Sequence, residues 1–131
     1  MVHASVKWTA ETKFEGRSSH SITVDGSTQA GNSPMELVLI ALCGCTASDI
    51  ATILQKKREP FTAVEVHASA EKAADPPRVY TAIELVYRVK GNVARKAVED
   101  AVKLSEEKYC SVAAMLNKTA RITYEIELDS K

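Results

Sequence analysis

Apolar residues recur at every second position through several stretches of the chain, and in one stretch they run together. Val2, Ala4, Val6 and Trp8 alternate with His3, Ser5 and Lys7, which predicts a half-buried strand. A polar turn through Glu11 and Thr12 leads to Phe14-Glu15-Gly16-Arg17, and Ile22 and Val24 mark a third strand that Asp25-Gly26 ends. Together these residues predict a small antiparallel meander. A loop of turn-forming residues, Ser27–Asn32, separates it from Ser33–Lys57, the longest apolar run. Ser33 reads as an N-cap, Pro34 suits the first turn, and Glu36 stands where a capping box places its carboxylate. From Leu37 to Cys45 almost every residue is apolar, with no polar stripe at helical period, which predicts a helix buried on most sides. Charged and polar groups at Glu36, Asp49, Gln55, Lys56 and Lys57 leave an uncharged core too short to cross a bilayer.

Pro60 ends the helical region. Val64, Val66, Ala68 and Ala70 predict a strand with one wet face, and Asp75-Pro76-Pro77 turns the chain. Val79, Thr81, Ile83, Leu85, Tyr87 and Val89 form one face of a long return strand, so the pair is expected as a hairpin. Gly91-Asn92 breaks it, and Asn92 is the expected cap of a second helix with Ala94, Ala97, Val98, Ala101 and Leu104 as its buried stripe. Ser105–Ser111 reads as a junction, Val112–Leu116 as a short helix, and Ala120, Ile122, Tyr124, Ile126 and Leu128 as a last strand. The order β-β-β-α-β-β-α-α-β predicts an α+β fold of antiparallel sheet with segregated helices, a single domain over residues 1–131. A chain this short has little surplus surface with which to cover a helix on all sides. A second subunit is the simplest cover, so a homodimer with the central helices near its interface is expected.

Composition narrows the function classes. Seventeen basic and seventeen acidic residues cancel, which removes the electrostatic footprint of a nucleic-acid or anionic-membrane binder. The start MVHASVKW lacks an apolar h-region and a cleavage signal, which points to a cytoplasmic protein. Three cysteines there do not make a disulfide framework; they are buried small hydrophobes or reactive thiols.

Cys43 and Cys45 are two apart on a helix, about 200° apart around its axis, so at most one faces any given site. Gly44 between them costs roughly 0.5–1 kcal/mol of helix stability relative to alanine, which points to a close backbone approach by another element or a ligand. Asp49 lies one turn beyond Cys45; a bare carboxylate there raises a thiol pKa unless a cation intervenes. Cys110 stands where a helix begins, and the orphan N–H groups and positive dipole end there favour a thiolate. Inert packing is the competing reading for each of the three.

SPMELVLIALCGCTASDI resembles the helix signature of the OsmC/Ohr family, a proline-led apolar helix that carries a cysteine. EKYCSVAAMLNK resembles the family's second signature, a cysteine before a short helix, and ILQKKR and LSEEKYCSV are most similar to the YhfA-like subgroup. The resemblance covers nearly the whole chain. It implies an intertwined homodimer built around long central helices, with sites at the subunit interface, no metal or organic cofactor, and a role in stress and detoxification. It further implies thiol peroxidase chemistry on organic hydroperoxides: Cys45 becomes a sulfenic acid, Cys110 resolves it to a disulfide, and an external dithiol reduces that. Cys43 has no matching role and is assigned to packing.

The sequence departs from the family pattern in two places. Met35 stands where the peroxidases have a glutamate after the helix proline, and Ser111 and Ala113 replace a proline and serine after Cys110. Glu36 is adjacent but has a capping explanation, and it lies roughly 13 Å along the axis from Cys45 on the opposite face. The family's activating arginine comes from the early meander, where Arg17 is the candidate, with Asp49 to orient it; the alternative for Arg17 is a solvated strand residue. His20 is a weaker substitute, and Glu107 and Tyr109 are candidates to line the pocket beside Cys110. Two other functions fit the same residues. One is an OsmC-fold protein without peroxidase activity that binds a small thiol-reactive or apolar ligand. The other is a hotdog-type acyl thioesterase, in which antiparallel strands wrap the long helix, Asp49 or Glu36 is catalytic and the cysteines are irrelevant.

Overall fold

The computed structural model describes residues 1–130. Two compact units divide the chain, residues 1–40 and the remainder from Ala41, with one long helix running from the first into the second. In the first unit β1 (Ser5–Ala10), β2 (Lys13–Arg17) and β3 (Ser21–Asp25) form an antiparallel sheet in that order. The expected meander is present, but its apolar face is not half-buried. Val6 is 60% and Trp8 66% exposed, and within residues 1–40 only Gly16 and Asp25 are buried. Polar bonds hold this unit together. The Asp25 carboxylate accepts from the Thr12 hydroxyl at 2.6 Å, from the Ser27 amide and hydroxyl, and from the Ala30 amide. Those donors, led by Thr12, hold its pKa far below the usual carboxylate range.

Helix α1 (Pro34–Lys56) begins on the expected capping box: the Glu36 amide donates to Ser33 Oγ, and the Ser33 amide donates to Glu36 Oε1. It ends before Pro60, with Arg58 in the left-handed region at φ 57° and the Glu59 amide bonded back to the Leu54 carbonyl. Burial on most sides is not reached within one chain. Leu42, Thr46, Ile50 and Leu54, four residues apart along one face, are fully buried, whereas Ile40 stays 53% exposed. Among the described residues α1 is the one helix that is long and apolar enough to cross a membrane. It nevertheless gives its buried stripe to the core, as the central helix of a soluble protein does. No atom of the described residues lies within 4 Å of where a Cβ on Gly44 would sit, so the close approach expected there is not made inside the chain.

In the second unit β4 (Phe61–Lys72), β5 (Tyr80–Gly91) and β6 (Arg121–Asp129) make the other sheet. The β4–β5 hairpin is as expected, but β6 pairs parallel to β5, Ile83 opposite Ile122, so this sheet is mixed and not antiparallel throughout. Alternation along β5 buries Ile83, Leu85, Tyr87 and Val89, each contributing roughly 1.5–3 kcal/mol by area, while Thr81 and Val79 fall outside that face. Gly91 closes the strand at φ 121°, where an added Cβ would sit 2.6 Å from the Pro60 carbonyl oxygen; no other residue fits.

Helix α2 (Arg95–Leu104) is only ten residues long. It buries Ala97, Val98, Ala101 and Val102, and leaves Ala94 and Leu104 out of the expected stripe. Its N-cap is Ala94 without a side-chain cap, not Asn92; the Ala94 amide donates instead to the Glu59 carboxylate. The expected junction is a π-helical turn, Ser105–Tyr109, closed by the Cys110 amide on the Ser105 carbonyl. Helix α3 (Ser111–Leu116) comes next.

Candidate functional site

Cys45 and Asp49 are one turn apart on α1, so their side chains leave the helix on the same face. Cys110 arrives from the other direction, in extended backbone (φ −78°, ψ 103°) between the π-helical turn and α3. The two sulfurs and a carboxylate oxygen of Asp49 all lie within 4.8 Å of one another. None of the three cysteines is disulfide-bonded. Cys43, on a different face of α1, is outside this cluster, and burial pushes its thiol pKa upward.

The π-helical turn decides where two of the polar groups point. An extra residue in that turn rotates the downstream residues by about a hundred degrees relative to a continuous α-helix. Ser105, fully buried, donates its hydroxyl to Asp49 Oδ2 at 2.8 Å and thereby holds the carboxylate in the cluster. Glu106 takes the Tyr87 hydroxyl at 2.5 Å, and Tyr87, raised chiefly by burial and then by Glu106, stays a neutral phenol. Sequence reasoning missed Ser105, because nothing in SEEKY distinguishes a π-helical turn from an ordinary one.

Cys110 is the N-cap of α3, and its Sγ accepts from the Ala113 amide at 3.3 Å. The helix start was expected to favour its thiolate. Burial wins: the residue is 3% exposed, and burial first, then the neighbouring Cys45 thiol, push the Cys110 pKa up to about 12. The Ala113 and Val112 amides pull the other way but do not reverse it. A six-residue helix supplies a weak dipole, while desolvation acts on the full charge.

The other expected site residues are dispersed. Arg17 is exposed on β2, and its guanidinium donates to Ser21 Oγ at 2.8 Å. His20 is exposed in the turn before β3, Glu36 is engaged in its capping box, and Met35 is half-buried beside it. Glu107 points to solvent. Tyr109, together with Asp49, Thr52, Ile53, Lys56, Lys57 and Leu104, lines an open groove of about 550 Å³ along α1.

An α+β chain with a long capped helix and two cysteines converging from separate elements defines a dithiol protein class. The family model for OsmC-like protein matches residues 25–125, and the chain belongs to the OsmC family. It is 43% identical to protein YhfA of Escherichia coli K12, over 97% of this chain and 98% of that one. A hypothetical protein from Aquifex aeolicus VF5 superposes with a TM-score of 0.87 at 32% identity, covering 98% of both chains. An organic hydroperoxide resistance protein OsmC from Legionella pneumophila superposes at 0.72 with 12% identity, covering 97% of this chain and 96% of that one, a likeness of fold alone. A hotdog thioesterase is thereby set aside: the strands fall in two sheets, and the β5–β6 pair is parallel.

Proposed function

We propose that this chain is a thiol-dependent peroxidase that reduces organic hydroperoxides through Cys45 and Cys110. The observation that carries the reading is the approach of the two sulfurs to within 4.8 Å, close enough for a disulfide after side-chain rotation. Cys45, the more exposed thiol, gives up its proton and attacks the outer peroxide oxygen. The O–O bond breaks, the alcohol leaves with the proton, and Cys45 is a sulfenic acid. Cys110 then attacks that sulfur; its proton and the sulfenic hydroxyl leave as water, and the Cys45–Cys110 disulfide forms. An external dithiol returns both thiols by exchange.

A thiol held near pKa 12 needs a base in the second step, and the Asp49 carboxylate, fixed by Ser105, lies within reach. The family resemblance assigns Arg17 as the cation that holds the Cys45 thiolate. We also propose a cytoplasmic homodimer that binds neither nucleic acid nor membrane. The balanced net charge, the uncovered apolar face of α1 and the open space at Gly44 support it.

Cumene hydroperoxide added to the reduced protein is expected to give a Cys45–Cys110 linked peptide by mass spectrometry, and a Cys45→Ser variant is expected to leave the hydroperoxide unconsumed. Undiminished turnover by that variant would overturn the assignment. One observation favours a second reading, a binding protein without turnover: Met35 replaces the family glutamate, while the groove beside Asp49 offers Ile53, Leu104 and Tyr109 to an apolar ligand.

A further inference from the structure

The cluster that brings the two thiols together has a third member that the disulfide does not need. We infer that Cys45, Asp49 and Cys110 form a binding site for a thiophilic divalent cation of the zinc class. Cations of this class take thiolate sulfur at about 2.3 Å and carboxylate oxygen at about 2.0–2.2 Å in tetrahedral geometry, which sets ligand atoms roughly 3.5–4 Å apart. The three donor atoms here are all within 4.8 Å of one another, so an inward contraction of about 1 Å or less, within the reach of χ1 rotation, closes the set around an ion.

The supports are those a metal site uses. Cys45 and Asp49 are four residues apart on one helix face, and Cys110 is held on a separate element by its cap bond to Ala113. The Ser105 hydroxyl engages one carboxylate oxygen of Asp49 and orients the other, an outer-shell bond of the kind that tunes ligand geometry. Asp49 also lines the groove along α1, which gives the ion a path in and leaves a fourth position for water. Two thiolates, one carboxylate and an open position are a soft, three-ligand set that suits zinc or cobalt and not magnesium or calcium. Metal binding and peroxide reduction use the same sulfurs, so each excludes the other. The inference rests on the cluster alone and survives if Cys45 is not peroxidatic.

Anaerobic titration of the reduced protein with Co²⁺ tests it. One equivalent per chain is expected, with a thiolate-to-cobalt charge-transfer band that Zn²⁺ displaces. Cys45→Ser and Cys110→Ser are expected to lose the band, Cys43→Ser to keep it, and disulfide-oxidised protein to show none. Ser105→Ala is expected to weaken binding roughly tenfold or more, without removing the band. Wild-type protein needs no variant for a second readout: Zn²⁺ is expected to protect both Cys45 and Cys110 from alkylation, located by mass spectrometry. Absence of the band, its survival in Cys45→Ser or Cys110→Ser, or unprotected alkylation of either thiol would overturn the site. Peroxidase assays of the metal-free protein separate this outcome from failure of the catalytic reading.

Discussion

The two sheets of this molecule hold together in opposite ways. The β4–β6 unit has a conventional apolar core, in which Leu85, Ile83 and Val89 of β5 and Leu42, Ile50 and Leu54 of α1 are all at or below 1% exposure. The β1–β3 unit has no such core. Its one buried side chain with functional groups is Asp25, and Trp8, Val6 and Ile22 lie open to solvent. Apolar burial is non-directional and grows with area, so it can stabilise a unit without fixing any one contact. A carboxylate clamp stabilises through a few directional bonds and is only as strong as its ionised state. The unit with the core carries the thiol cluster, and the unit with the clamp presents the uncovered apolar surface.

Substitutions in the core unit should have the largest effect. Ile83→Ala is expected to cost about 2–5 kcal/mol, read as a fall in the urea midpoint at unchanged slope. A change below about 0.5 kcal/mol would mean that β5 is not the centre of the core. Next in size is the clamp. The Asp25 pKa is depressed by folding, so its contribution is present above the unfolded-state value of about 3.9 and is lost as pH falls below it. Asp25→Asn should therefore be less stable than wild type at pH 7, with the gap closing below about pH 4. Fluorescence of Trp8, the single tryptophan, reports this unit directly; a gap independent of pH would show that the charge of Asp25 is not what the clamp uses.

The smallest effect on the fold itself is expected at Trp8. Trp8→Ala should change the stability of an isolated chain by no more than about 0.5 kcal/mol. If the exposed strands and α1 face form a homodimer contact, the same substitution should shift the sedimentation equilibrium toward monomer. A wild-type protein that sediments as a monomer across micromolar concentrations would remove the dimer from the reading.

Much was legible in the sequence where its causes are local. Period-two alternation marked every strand, the Ser33–Glu36 box marked the start of α1, and the helix start after Cys110 was visible because an N-cap is a four-residue device. The i,i+4 spacing placed Asp49 on the face of Cys45. The meeting of Cys45 with Cys110 was not readable from spacing; only the family resemblance implied it. Ser105 went unseen because a π-helical turn leaves no periodic signature.

The chain's own order of apolar and polar residues determined which segments are strands and helices, how they are capped, and which cysteines can share a face. Only the tertiary structure decided that β6 runs parallel to β5, that Glu59 meets α2 from 35 residues away in place of Asn92, and that Asp49 is held by Ser105. It also decided the state of Cys110, where the local helix start argued for a thiolate and burial made it a thiol. The division has one physical reason. Hydrogen-bonded turns and periodic faces depend on neighbours a few residues apart, whereas desolvation and the convergence of donors depend on everything packed around a group.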